Sequence, residues 1–159
     1  MKRILLHWRT AVLVFLTHKI ALPLLKIFRR PGQVNCTRVQ LAAMPAGSLG
    51  HDLFLFLEQR NLPLLPHYIR HDLKHVLLEY DTTDEGEACL QCFMLGTGRI
   101  SFPVLATVVY AFVTMPEYWS KLRKAFREGR QAVFFHHWHW NKLLAVQTAI
   151  LRERIFKTQ

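Results

Sequence analysis

Thiols, glycine and proline are scarce in this chain, and acid is missing from its first third. Three cysteines stand among 159 residues, with Cys36 far from the other two. No disulfide framework can be built from them, and a reducing compartment is expected. Cys89-Leu90-Gln91-Cys92 is a lone C-x-x-C without a second pair or a thioredoxin-like flank, a spacing that suits small buried side chains on a helix. Seven glycines and seven prolines against 51% hydrophobic residues exclude a disordered chain. No stretch alternates apolar and polar residues well enough to make a strand, and no repeat is present, so helical periodicity dominates. H-E-x-x-H is absent, as is any recognisable nucleophile set, which removes ordinary metal-dependent hydrolysis. The length suits one domain with a proper core.

What is present is positive charge, unevenly placed. The formal charge is +10, yet residues 1–51 hold eight Lys or Arg and no carboxylate. Residues 52–116 hold eight carboxylates against four basic residues, and from Glu117 onward nine basic residues face three acidic ones. Basic ends around an acidic centre suit an anionic surface. No zinc finger, RNA-recognition signature or helix-turn-helix accompanies the charge, so the expected partner is anionic phospholipid and not nucleic acid. Met1 to Arg30 is the most apolar stretch, but Arg9, His18, Lys19 and Lys26 interrupt it, and a spanning helix wants about 20 apolar residues. It reads as an interfacial amphipathic helix bent at Pro23, with Trp8 and Phe15 in the acyl boundary. Arg30-Pro31-Gly32-Gln33 ends it. The chain thus divides into an interfacial helix (1–32), a linker with a short helix (33–66) and a helical core (67–159).

The acidic centre contains the most chemically loaded sequence, His71-Asp72-Leu73-Lys74-His75, with Glu87 beyond eleven intervening residues. On a helix His71 and His75 are i,i+4 neighbours and Asp72 and His75 are i,i+3 neighbours, so one helix can offer all three on adjoining parts of a face. Asp81-Thr82-Thr83 breaks the periodicity, and Thr82 with Glu85 predicts a capping box that opens a second helix. If the chain reverses there, Glu87 comes level with His75, and Gly86 lets the two backbones approach. His71, Asp72, His75 and Glu87 are therefore candidate ligands of a divalent metal. Imidazole nitrogen with carboxylate oxygen fits zinc or non-haem iron, and ligand type does not choose between them.

The pattern H-D-x-x-H, eleven residues, then Glu resembles the signature of the coenzyme Q (ubiquinone) biosynthesis protein 4 family. His71 to Leu78 is similar to the family's metal-site helix, Gly86-Glu87 to its Gly-Glu pair, and Leu95-Gly96-Thr97-Gly98 to the segment that follows. A fainter likeness runs through Glu128-Gly129-Arg130, so the resemblance spans about residues 60 to 155. Three features depart from it. Glu79 stands where the family commonly has Gly, His136-His137-Trp138-His139-Trp140 replaces an aromatic and acidic stretch, and the chain is shorter than typical members, with an N-terminal part that does not align. The resemblance implies a short, divergent bacterial member acting in prenylated-quinone biosynthesis, peripheral on the cytoplasmic face of the inner membrane, or on the mitochondrial inner membrane if eukaryotic. It implies oxidative decarboxylation, with hydroxylation at ring carbon 1, of a prenylated hydroxybenzoate. It also implies a prenylated aromatic or quinone lipid as ligand and other quinone-biosynthesis proteins as partners, with a homodimer open. The competing expectation is a lipid-binding scaffold without catalysis.

The fold expected is an all-α, single-domain helical bundle with the membrane-associating helix at its N-terminus. Ser48 predicts the cap of a helix through Gln59, and Pro63 and Pro66 lead into the metal helix near His67. The second helix spans Thr83 to Leu95. Ser101 and Pro103 open a third. With no charge between Arg99 and Glu117, that helix is expected to be buried at the centre, where it could line a tunnel for a polyprenyl tail. Pro116 opens a fourth helix, and a last one is expected from about Arg130 to Ile155. His136, His137 and His139, among Trp and Phe, suit a membrane-edge or tunnel-mouth position more than a metal site.

Overall fold

Local capping decides where most helices begin. The computed structural model describes residues 34–156, and the interfacial helix expected over the first 30 residues lies outside them. Helix α1 (Arg38–Ala42) starts at a full capping box between Thr37 and Gln40. Ser48 caps α2 (Leu49–Gln59) as expected, its hydroxyl accepting from the His51 amide. Then follow α3 (Ile69–Leu78), α4 (Asp84–Gly96), α5 (Phe102–Thr114), a 3-10 turn (Pro116–Tyr118), α6 (Trp119–Gln131), α7 (Trp140–Leu143) and α8 (Thr148–Phe156). Among the described residues there is no strand, so the all-α class holds. No helix of the described residues is long and apolar enough to cross a membrane.

The core forms where apolar positions recur at helical spacing. Leu49, Leu53 and Leu57 on α2 face Leu73 and Leu77 on α3, and all are fully buried. Leu90, Phe93 and Met94 of α4 continue the core toward Leu122 and Ala125 of α6. Helices α2, α3 and α8 pack as one group, and α4, α5 and α6 as another. Two buried polar side chains at the first group's edge are satisfied locally: Thr148 donates to Asp52 at 2.5 Å, and Ser48 caps α2.

Three local expectations are corrected. Thr83, not Thr82, caps α4: its hydroxyl accepts from Gly86 N, and its own amide donates to Asp81 Oδ1 at 2.9 Å. Since Gly86 occupies the third helical position, no side chain exists there to complete a box. Second, α5 is not a buried central helix. Only Val104 and Ala111 are buried, while Phe102 is 75% and Val113 72% exposed. A helix apolar on nearly every side packs one stripe on α4, and no described element covers the rest. Third, the last helix is divided. Ala132 turns to extended geometry (ψ 148°), and Val133 N donates to Ile155 O at 2.8 Å. Extension sends Phe135 into the core and leaves Phe134 half exposed, a separation that neighbouring helical residues cannot reach as fully.

Candidate metal centre

Helices α3 and α4 bring three of the four candidate side chains to a point. His71 and His75, one turn apart on α3, set their rings edge to face at 81° with centroids 4.6 Å apart. Their Nε2 atoms lie 3.0 Å apart, and Glu87 Oε1 reaches both, at 3.1 Å from His71 and 3.0 Å from His75. Ligand atoms of these three residues all lie within 4.8 Å of one another, a group without thiolate and without Asp72. Asp72 follows His71 by one residue, about 100° round the helix. It stands near enough to feel all three charges but outside that triangle.

The approach of Glu87 depends on Gly86. A β-carbon there would collide with the carbonyl and side chain of Asp81, so only glycine lets the start of α4 close against the reversing chain. Glu87 N donates to Thr83 O at 2.8 Å, and the carboxylate is thereby placed on the first turn of α4, where the positive end of the helix dipole favours it.

Hydrogen bonding fixes the chemistry of the pair. His75 Nδ1 lies 2.9 Å from the Tyr80 carbonyl. A carbonyl only accepts, so Nδ1 carries the proton, and a neutral His75 presents Nε2 as a bare lone pair. This is the orientation that outer partners impose on metal-binding histidine. Phe56 of α2 stacks over the His75 ring at 22°, and Tyr68 meets His71 edge on. The His75 side chain is wholly buried, whereas His71 and Glu87 are 29% and 35% exposed, so the site opens along its outer edge.

Electrostatics follow the same geometry. Burial alone would lower His75, but the Glu87 carboxylate and the Tyr80 carbonyl overcome it and raise the imidazole above its usual value. Burial opposes the charge on Glu87 too, and hydrogen bonds from His71 and His75 still hold it well below the usual carboxylate range. Asp72 is pushed up to about 6, chiefly by burial, against the pull of both histidines. Two ring nitrogens and an anionic oxygen at hydrogen-bond separation are bridged either by shared protons or by a metal ion. The donor set fits a divalent metal.

The other sequence candidates do not belong to this group. Cys89 and Cys92 are buried free thiols, pushed up to about 11 and about 12, mainly by burial. His136, His137 and His139 form no convergent group, and His136 instead meets Thr97 Oγ1 at 3.1 Å. Sequence reasoning missed Phe56 and the Tyr80 carbonyl. Phe56 carries only an ordinary core signal, and a backbone acceptor leaves no trace in residue type. An open cleft lined by Leu55, Phe56, Arg60, Val76 and Arg152 also reaches His75.

No family model matches the chain, and neither does any curated protein. Among solved structures it is similar to a protein of Nostoc punctiforme provisionally named a ubiquinone biosynthesis protein. The TM-score is 0.61 at 23% identity, over 76% of this chain and 68% of that one. At that identity the likeness shows a shared fold.

Proposed function

We infer that the chain is a metal-binding protein of ubiquinone or related prenylquinone biosynthesis, with His71, His75 and Glu87 as ligands and Asp72 as fourth ligand or proton carrier. The observation that carries this reading is the meeting of two Nε2 atoms and Glu87 Oε1 within 3.0–3.1 Å, with His75 held in the ligating tautomer. The resemblance of His71–His75 and Gly86-Glu87 to the coenzyme Q biosynthesis protein 4 family supports it, as does the name of the structural neighbour.

The activity proposed is oxidative decarboxylation of a prenylated hydroxybenzoate, hydroxyl replacing carboxylate at ring carbon 1. That exchange consumes dioxygen, two electrons and two protons and releases carbon dioxide and water, so a separate reductant belongs to it. A bound divalent ion would supply Lewis-acid charge and, as iron, one-electron exchange with dioxygen. The protein's part is to hold and orient. Tyr80 and Phe56 fix the His75 ring, and Glu87 supplies the anion. Asp72, the residue after His71, places a second carboxylate beside the site, and the charge of a bound ion would favour its ionised form. Arg60, whose guanidinium lies 4.1 Å above the Phe56 ring, gives the adjoining cleft a cation for an aromatic acid.

The outward apolar side of α5 favours a second reading. Among the described residues nothing closes a lipid tunnel on that side, where Val109 is 61% exposed, as suits a lipid-binding scaffold whose metal only fixes the helical hairpin. Elemental analysis beside His75→Ala, with mass spectrometry of extracted lipid, separates the two. Iron lost in the variant together with a prenylated aromatic acid supports the enzyme, and zinc with an unmodified prenyl lipid supports the scaffold. Metal content unaffected by His75→Ala and Glu87→Ala would remove both.

A further inference from the structure

Tyr80 stands where the two helical groups and the metal centre meet. Glu79, in left-handed geometry at φ 57°, ends α3, and the Tyr80 carbonyl that follows lies 2.9 Å from His75 Nδ1. The side chain of the same residue reaches the other helical group. Its ring meets Phe93 of α4 at 62° with centroids 6.3 Å apart, and its hydroxyl lies 3.3 Å from Glu128 Oε2 on α6. A phenol keeps its proton at neutral pH and an ionised carboxylate only accepts, so Tyr80 is the donor. Two hydrogen bonds thus lead from α6 through one residue to the ring of a proposed ligand. Tyr80 and Glu128 are 48 positions apart in the chain, a separation that no helical spacing reveals.

Both ends of this path are anchored. Glu128 divides its oxygens, Oε2 to Tyr80 and Oε1 toward Lys124, 3.8 Å away and one turn earlier on α6. Gly129 beside it lies against the Phe93 backbone, so the stretch that carries Glu128 is seated directly on α4. At the other end Arg152 of α8 donates to the Val76 and Leu77 carbonyls and holds the last turn of α3. Asp81 accepts from the Thr83 amide at 2.9 Å and packs against Gly86. The backbone is therefore restrained before and after Tyr80, and the phenol tethers the residue between.

A carbonyl in an irregular turn has no helical ladder to aim it, and its direction follows from the dihedrals on either side of one peptide plane. We propose that Glu128 is a positioning residue of the metal centre. By holding the Tyr80 phenol it fixes the peptide whose carbonyl keeps a proton on His75 Nδ1 and leaves Nε2 to face Glu87. The consequence for affinity rests on the metal reading of His71, His75 and Glu87, whereas the geometry rests on the two hydrogen bonds alone. Loss of a direct partner of a metal-binding histidine costs about 10–100-fold in affinity. Glu128 stands one bond further out, and 3.3 Å is long for an O–H···O bond, so about three- to tenfold is expected here. Tyr80 and Glu128 also line an open cleft with Lys121 and Lys124. Water can therefore replace either partner, and neither substitution strands a buried charge.

The test measures the affinity of the full chain for zinc(II), and for iron(II) without air, by titration calorimetry. Tyr80→Phe and Glu128→Ala should each weaken binding about three- to tenfold, and the double variant no further than the weaker single, as groups acting through one bond require. Glu128→Gln keeps an accepting oxygen and should stay within about twofold of the parent. Parent-like affinity in folded Tyr80→Phe and Glu128→Ala overturns the proposal, as does an additive loss in the double variant. So does a Glu128→Gln protein as weak as Glu128→Ala, because the charge of the carboxylate and not its bond would then be acting. Circular dichroism of the metal-free proteins checks folding, and should Glu128→Ala fail, Tyr80→Phe and Glu128→Gln decide. In the metal-free protein, exchange of the His75 Nδ1 proton with water, followed by NMR, should quicken at least about threefold in Tyr80→Phe and not in Glu128→Gln. A parent that binds neither ion removes the metal reading but leaves this second measurement intact. An exchange rate unchanged in Tyr80→Phe then sinks the positioning role by itself.

Discussion

Glu79 closes α3 in left-handed geometry, with φ at 57°, where a β-carbon costs about 1 kcal/mol relative to glycine. The resemblance places glycine at this position, and the backbone explains why glycine suits it. Glu79 is held by Arg152, 2.6 Å from its carboxylate, but the carboxylate side chain is 71% exposed, so the pair offsets little. The same guanidinium donates to the Val76 and Leu77 carbonyls at the end of α3. Glu79→Gly is therefore expected to raise unfolding free energy by up to about 1 kcal/mol, and Arg152→Ala to lower it by about 1–3 kcal/mol. Urea midpoints decide both, and a Glu79→Gly protein clearly weaker than the parent would mean that the ion pair dominates. His136 gives the pH counterpart. Thr97 Oγ1 spends its proton on Met94 O, so His136 Nε2 donates to it, and His136 Nδ1 is buried without a partner among the described residues. Burial first, then Arg99, Lys74 and His137, lower this imidazole from 6.5 to about 4. Between those values the unfolded chain binds the extra proton. Stability from this residue is thus complete above pH 6.5 and drains away as pH falls to about 4, by no more than about 2 kcal/mol after solvent screening. His136→Gln should flatten that part of the urea-midpoint profile, and an identical slope would refute the assignment. At this scale the meeting of His71, His75 and Glu87 was legible, because i,i+4 spacing and a reversing turn dictate it. The Tyr80 carbonyl was not, since an irregular turn aims it.

Between elements, glycine matters most where α4 crosses α6. A β-carbon on Gly129 would strike the Phe93 carbonyl, and one on Gly96 would strike the Phe126 carbonyl. Each glycine lies against the other helix's backbone, so the two axes approach more closely than side chains would permit. Alanine at either place gains about 1 kcal/mol of helix propensity but must force two backbones apart, an overpacking that costs about 1–3 kcal/mol or more. Gly129→Ala and Gly96→Ala should each lower stability by a net of up to about 2 kcal/mol in thermal melts, and melting temperatures equal to the parent's would show that the crossing relaxes freely. Periodicity located α2 to α6 to within a few residues, because capping and apolar spacing agree there. It misjudged α5, since hydrophobicity states what a helix could bury and not what stands ready to cover it. It also ran one helix through 132–139, where Phe135 and Trp140 are buried at the expense of regular hydrogen bonding. Aromatic anchors separated by loop geometry carry no helical period, so tertiary packing decided that segment.

Across the whole molecule, the triad joins two bodies. Helices α2, α3 and α8 pack together, α4 packs on α5 and α6, and α3 and α4 themselves touch little. Cys92, Phe93 and neighbours unite the core beneath, and at the outer edge the contacts of Glu87 with His71 and His75 bridge the two helices. A metal ion there would bind the folded chain and not the separated helices, so binding becomes stability. At a free ion concentration about 100 times the dissociation constant the gain is about 2.7 kcal/mol, roughly 10 °C in melting temperature for a domain of this size. Chelation of the purified protein is expected to remove that gain and to weaken amide protection across residues 71–78 and 84–90. Metal should restore both. In His75→Ala or Glu87→Ala the melting temperature should ignore chelator and metal alike, because the remaining two ligands no longer span a closed triangle. A shift of equal size in those variants would place the ion elsewhere on the protein. The hairpin would then be held by its shared protons alone, with no metal needed to explain the approach of Glu87.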